Sequence, residues 1–349
     1  MNTSNNPINV VVMMGGFSSE RDISLTTGKG VLKALKEKGF NANAFDVRNG
    51  LLTGFDPKKF DVAMIALHGE FGEDGGIQAL LEEHGLPYTG SGPEASRLAM
   101  DKANAKECFE QAGLRVAPHV RMESMADLQM VKSQVQALGY PLVVKPVAEG
   151  SSLGISQVTR YSELGEAIEE AAQFQTGILI EPFIPGQELT VGIVGEQAMP
   201  VIEIQPPGNS GWFDFTAKYG GESSYLVPAP LEESVAQRLQ EVALAAHKSL
   251  GCLDVSRVDF RLEPGRQEPV VLEVEKNDRA DVAQKVNAPC EIAGTFFPGR
   301  DRDWYEFEAR TGEIYWIDVI SQRLGLPTDP FFALQRVERN DKAKRRSRR

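Results

Sequence analysis

An unbroken apolar run from residue 8 to 14, closed by Gly15-Gly16, reads as a buried strand that ends in a glycine turn. Apolar positions at helical spacing follow over 24–38, and shorter strand-like runs cover 42–47 and 62–67. This order predicts a small parallel β/α domain in the first ninety residues, with function at the carboxyl ends of its strands. Helical pattern returns over 96–111. Residues 141–145, Pro-Leu-Val-Val-Lys, make a buried strand that ends in a lysine, and glycines follow at once. Further strands are predicted at 177–181 and 189–194, an amphipathic helix at 232–250, and a strand pair at 256–262 and 269–274. After Glu273 the texture changes to short alternating strands, such as 304–309 and 314–320, separated by Gly and Pro turns. This predicts an all-β unit and a boundary near residue 274.

Composition narrows the class. At about 100–200 residues per domain, 349 residues give room for two to four domains. No apolar run approaches the ~20 residues of a spanning helix. Nothing at the N-terminus resembles a secretory signal, so the cytoplasm is the expected compartment and no membrane is expected. Cys108, Cys252 and Cys290 are odd in number and widely separated, which fits reduced thiols better than a disulfide framework or a zinc site. A net charge of -12 argues against general nucleic-acid affinity. The last eight residues nonetheless carry six positive charges, a basic tail that reads as disordered and solubilising.

Several segments carry residues suited to phosphate chemistry. Lys145 precedes Glu149-Gly-Ser-Ser-Leu-Gly154, where backbone N–H groups and the hydroxyls of Ser151 and Ser152 can surround phosphate oxygens while the lysine adds point charge. An ordinary surface turn is the plainer alternative for such a segment taken alone. Asp259 and Glu273 interrupt otherwise apolar strands, where an acid needs a partner, and together they can hold magnesium against a polyphosphate. Metal-free surface carboxylates are the alternative. Arg257, two residues before Asp259, shares its face and can meet developing negative charge. His68 stands at the end of the third strand, ahead of Gly72-Glu-Asp-Gly-Gly76. It is placed for ligand binding, although a lone histidine is often structural. Glu20 can accept a substrate ammonium or help cap the helix behind it.

In combination these segments resemble the D-alanine–D-alanine ligases of the ATP-grasp superfamily over residues 8–274. The matches are Gly15-Gly-Phe-Ser-Ser-Glu20-Arg-Asp-Ile-Ser24, Leu67-His-Gly-Glu-Phe-Gly-Glu-Asp-Gly-Gly-Ile-Gln78, Pro87-Tyr-Thr-Gly-Ser91 and Met100-Asp-Lys102. Further along come Val144-Lys-Pro146 with Gly150-Ser-Ser-Leu-Gly154, Glu181 with Gly186-Gln-Glu188, Ala217-Lys-Tyr219 and Arg257-Val-Asp-Phe260. The resemblance implies an α/β fold, an ATP-grasp ligase with an N-terminal Rossmann-like domain, followed here by a small all-β sandwich-like segment. The implied domains are 1–97, 98–274, 275–338 and a basic tail at 339–349. It also implies the joining of two D-alanines for peptidoglycan, through an acyl phosphate made with ATP and Mg2+ or Mn2+, by a homodimer.

Carried over by the resemblance, Lys102, Lys145, Ser151 and Ser152 would hold phosphates, and Glu181 and Glu188 the adenine and ribose. Asp259, Glu273 and Glu275 would bind the metal. Glu20 would anchor the first ammonium, joined to Ser151 and Tyr219 by hydrogen bonds, with His68 and Lys218 also at the substrate. Arg257 would stabilise the acyl phosphate and tetrahedral intermediate. Residues 212–225 would close over the site and exclude water.

The chain departs from that pattern after Glu273. The family places Val, then Asn, then a Pro-Gly turn and a nearby Ser there, whereas this chain reads Glu273-Val-Glu-Lys-Asn-Asp-Arg, with Glu275 at the asparagine position. Phe213 stands where many relatives place a tyrosine. Either about a dozen residues are inserted, with the motif resuming at Asn287-Ala-Pro289, or the ligase stops and another domain begins; the second reading is preferred. Residues 275–338 resemble the bacterial pre-peptidase C-terminal domain, a small β-sandwich, in Ile292-Ala-Gly-Thr-Phe296 and Asp301-Arg-Asp-Trp-Tyr-Glu-Phe307 among others. A non-catalytic ATP-binding protein derived from such a ligase, and a D-alanine–D-lactate or D-alanine–D-serine ligase, are the alternative functions.

Overall fold

The unbroken apolar run is possible because its strand, β1 (Asn9–Met14), has a hydrophobic layer on each side. Val11 and Met13 point into one layer with Ile77 and Leu81, while Val10, Val12 and Met14 point into the other with Leu35. The computed structural model describes residues 7–18, 20–48, 50, 52–150, 153–205 and 224–275, all within the first of two compact units, Met1–Phe307.

β1 is the middle of a parallel three-stranded sheet, flanked by β2 (Asn41–Asp46) and β3 (Val62–Ile65). Helix α1 (Arg21–Glu37) packs on one face, and α2 (Gly76–Glu83) contributes Ile77 and Leu81 to the other. The predicted β/α opening is therefore present.

The predicted single helix over 96–111 is two helices, α3 (Pro93–Met100) and α4 (Lys102–Gln111). Asp101 divides them. Its backbone is extended, at φ -81° and ψ 98°, and its carboxylate accepts the Asn104 N–H at 2.9 Å, an N-cap that restarts the helix. Periodicity persisted across the break because both helices pack on one core.

An antiparallel four-stranded sheet has the order β4 (Val120–Met122), β7 (Ile178–Pro182), β5 (Leu142–Pro146), β6 (Ser156–Val158). Its apolar face, with Val144 and Ile180, packs on α5 (Leu128–Leu138) and α6 (Tyr161–Ala172). A second, six-stranded antiparallel sheet runs β11 (Ser224–Leu226), β10 (Ile202–Gln205), β8 (Gln187–Val194), β12 (Val255–Leu262), β13 (Val270–Glu275), with β9 (Gln197–Ala198) paired to β8. The core beneath it unites Val258 and Phe260 with Phe109 of α4 and Leu239, Val242 and Ala246 of α7 (Glu233–Ser249).

A register shift between β12 and β13 bears on the site. Asp259 pairs with Glu273 but Phe260 pairs with Val271, so Leu272 is an extra residue in β13. Val271 and Val274, three apart, both enter the core as a result. Among the described residues no helix is long and apolar enough to cross a membrane.

Candidate active site

The carboxyl end of β5, the start of α4 and the strands β7, β12 and β13 bring together most of the described candidate residues. Lys102 is the first residue of α4, and its backbone N–H donates to Val147 O at 3.0 Å, which ties the helix to the chain just after β5. Its buried ammonium donates to Glu149 O and lies 3.7 Å from Glu273 Oε2. Lys145 Nζ, in β5, lies 3.2 Å from Glu181 Oε1 in the neighbouring strand β7. The two predicted phosphate lysines thus occupy one charged region with the two predicted carboxylates Glu181 and Glu273.

Glu181 is 3% exposed and shares its Oε1 with a second lysine, Lys106, also at 3.2 Å. Burial pushes the Glu181 carboxyl up, but the charges of Lys106 and Lys145 outweigh it and hold the group below its ordinary value. Sequence reasoning missed Lys106. It lies one turn beyond Lys102 on α4, and residues four apart on a helix share a face.

On the six-stranded sheet, Asp259 and Glu273 face each other across the β12/β13 pair, as do Arg257 and Glu275 one step along. Arg257 forks onto Asp259, with Nε to Oδ1 at 2.9 Å and Nη2 to Oδ2 at 2.8 Å, and its Nη2 also donates to Glu275. Burial works against the guanidinium charge, but Asp259 and Glu275 more than offset that and raise its pKa. One oxygen each from Asp259, Glu273 and Glu275 lie within 4.8 Å of one another. These are hard oxygen donors of the kind magnesium and manganese take.

Glu188, in β8, pairs with Arg261 of β12 at 3.0 Å. Arg261 also donates to Gly186 O at 3.1 Å and lies 5.4 Å from the centre of the Phe183 ring, just beyond β7, so this pair bridges the two sheets. Arg261 and Phe183 were not anticipated either.

Glu20 immediately precedes α1 and makes no side-chain cap bond to it, which removes the capping alternative. Its carboxylate lies instead beside two glycines. A Cβ on Gly69, whose φ is +68°, would stand 2.9 Å from Glu20 Oε2, and one on Gly150 would stand 4.0 Å away. His68 is buried between Glu73, at 3.5 Å from Nδ1, and Thr27 Oγ1, at 3.2 Å from Nε2. Burial raises the pKa of Glu149, with Lys102 opposing and Glu20 and Glu70 adding to the rise, so the Glu20 and Lys102 regions are electrostatic neighbours. Ser151, Ser152, Lys218, Tyr219, most of the predicted closing loop and the whole 276–349 segment lie outside the described residues.

Two family profiles match the chain. One, described as the N-terminus of D-ala D-ala ligase, covers residues 42–91, and the other, described as its C-terminus, covers 108–277. The chain is 44% identical over 259 residues to the D-alanine–D-alanine ligase of Bordetella petrii, covering 73% of this chain and 78% of the relative. It is 45% identical over 257 residues to that of Geobacter sulfurreducens, covering 73% and 79%. Among solved structures, the D-alanine–D-alanine ligase of Bacillus anthracis complexed with ATP is similar at a TM-score of 0.68 and 30% identity, over 78% of this chain and 87% of that one. The VanG D-Ala:D-Ser ligase of Enterococcus faecalis matches at a TM-score of 0.68 and 29% identity, over 78% and 90%.

Proposed function

The chain belongs to the D-alanine–D-alanine ligase family, and from that premise we propose how its residues carry out the ATP-dependent joining of two D-alanines for peptidoglycan synthesis. The single observation that carries the assignment of residues is the convergence of Lys102, Lys145, Glu181, Glu273 and Asp259 from α4, β5, β7, β12 and β13.

The reaction needs a carboxylate made electrophilic. Its oxygen attacks the γ-phosphorus and ADP departs with the electron pair, leaving an acyl phosphate. The amine of the second D-alanine then attacks the carbonyl carbon, phosphate leaves, and the amine gives up a proton. Lys102 and Lys145, with Ser151 and Ser152, bind the phosphates as fixed positive charge and donors. Glu181 and Glu188 receive the adenosine part. Asp259, Glu273 and Glu275 would hold Mg2+ or Mn2+, which would supply positive charge against the transferred phosphoryl group.

Glu20 accepts the ammonium of the first D-alanine, and Gly69 leaves room for it because a side chain there would crowd the carboxylate. His68, oriented by Glu73 and Thr27, faces that substrate with Lys218. Arg257 is already turned toward negative charge by its fork on Asp259, and it meets the charge that grows on the reacting carbonyl oxygen. Ser151 and Tyr219 complete the hydrogen-bonded link to Glu20. The enzyme works in the cytoplasm as a homodimer.

Phosphate release from ATP by the full chain tests the assignment. Release that requires D-alanine and Mg2+, with D-alanyl-D-alanine as product, is expected; ATP binding with no D-alanine-dependent release overturns it.

A further inference from the structure

Helix α4 carries two lysines one turn apart with different surroundings. Lys102 reaches Glu149 and Glu273. Lys106 is 0% exposed, and its Nζ has no hydrogen-bond acceptor among the described residues, only the ion pair to Glu181 Oε1 at 3.2 Å. Lys145 reaches that same oxygen at the same distance. Burying an ammonium so completely is costly, and burial pulls the Lys106 amine below its ordinary pKa while Glu181 works in the opposite direction. A lysine kept there needs a reason beyond packing, because an apolar side chain of similar length would fill the space without that cost.

The shared oxygen supplies the reason. Two ammoniums on one carboxylate leave one positive charge in surplus. A phosphate that recruits Lys145 draws it away from Glu181, and a carboxylate as buried as Glu181 cannot be left without a cation. Lys106 reaches Glu181 from helix α4, whereas Lys145 reaches it from the neighbouring strand β5. We propose that Lys106 is a positioning residue of the nucleotide site, which keeps Glu181 paired while Lys145 turns to phosphate and so favours phosphorylated nucleotides without touching them. The inference rests on the reading of Lys145 and Glu181 as nucleotide-site residues given above.

Calorimetric titration of the full chain with Mg-ATP and with adenosine, both without D-alanine, tests it. Lys106→Met is expected to weaken ATP binding by about tenfold or more while adenosine changes by no more than about twofold. In a Glu181→Gln background, where no buried carboxylate needs a partner, the same substitution should alter ATP binding by no more than about twofold. Equal weakening of ATP and adenosine, no weakening of either, or a tenfold loss that persists in the Glu181→Gln background each overturns the proposal. If Lys106→Met alone does not fold, the Lys106→Met/Glu181→Gln double variant compared with Glu181→Gln decides the matter by the same twofold criterion. Lys145→Met run alongside separates the two layers. Unchanged ATP affinity there sinks the nucleotide-site reading itself, whereas a loss there beside an unaffected Lys106→Met sinks only the role of Lys106.

Discussion

The four-stranded and six-stranded sheets carry opposite charge balances in opposite settings. Where α4 meets β5 and β7, two lysines surround one carboxylate, with side-chain exposures of 0%, 8% and 4% for Lys106, Lys145 and Glu181. At β12 and β13 three carboxylates, Asp259, Glu273 and Glu275, meet two cations, Arg257 and Lys102, and Glu273, Glu275 and Arg257 are each 22–28% exposed at the side chain. The first cluster has positive charge to offer but cannot cheaply leave its carboxylate without a cation. The second has negative charge to offer and is wet enough to exchange partners. A polyphosphate held with a divalent cation needs both, the anion toward the lysines and the metal toward the acids.

Three substitutions can break or sharpen that contrast. The largest effect is expected from Asp259→Asn, which removes the acid that faces Glu273 and holds Arg257: D-alanine-dependent phosphate release should fall by about 10³-fold, while far-UV circular dichroism stays that of the parent. A loss below about tenfold would show that the acidic cluster is not the metal site. Next comes Glu275→Gln. Mn2+ affinity, followed by the electron paramagnetic resonance of the free ion, should weaken by about tenfold, but the free energy of unfolding from urea titration should change by less than about 1 kcal/mol, because the Arg257–Glu275 pair is partly exposed and Arg257 keeps Asp259. A large stability loss with unchanged Mn2+ affinity would make Glu275 a structural residue.

The smallest effect concerns pH. The folded pKa of Glu181 lies below its unfolded value, so its ionisation favours the folded state above the unfolded carboxyl value of about 4.3, and that contribution is lost as the pH falls through the folded value. The difference in Tm between the parent and Glu181→Gln should therefore shrink between about pH 6 and pH 3. A difference that is flat over that interval would mean the carboxyl is not held ionised by its lysines.

The contrast also explains what was legible in the chain. Strands such as 10–14 and 256–262 were readable because burial on one or both faces imposes apolar runs or alternation, and their ends fell within a residue or two of those predicted. Asp259 and Glu273 stood out because acids in apolar strands are conspicuous. Lys106 and Arg261 did not stand out. A lysine in a helix with mixed polarity looks like solvated surface, and only the strand β7 that packs behind it, distant in sequence, makes it a core residue. The break at Asp101 was hidden for a related reason: a cap needs only one side chain and one dihedral change, while the apolar spacing on either side continued in phase.

The spare residue at Leu272 constrains how this lineage of sequences can drift. Were β13 paired without a bulge at its present length, Val271, Glu273 and Glu275 would share one face and Val274 would take the other, so the two valines could not both be inward while the glutamates look outward. It is therefore the bulge that lets this run of residues present both acids on the outward face. Deleting Leu272 itself would restore plain alternation with both glutamates still outward, whereas ironing out the bulge at the present chain length would turn them into oil.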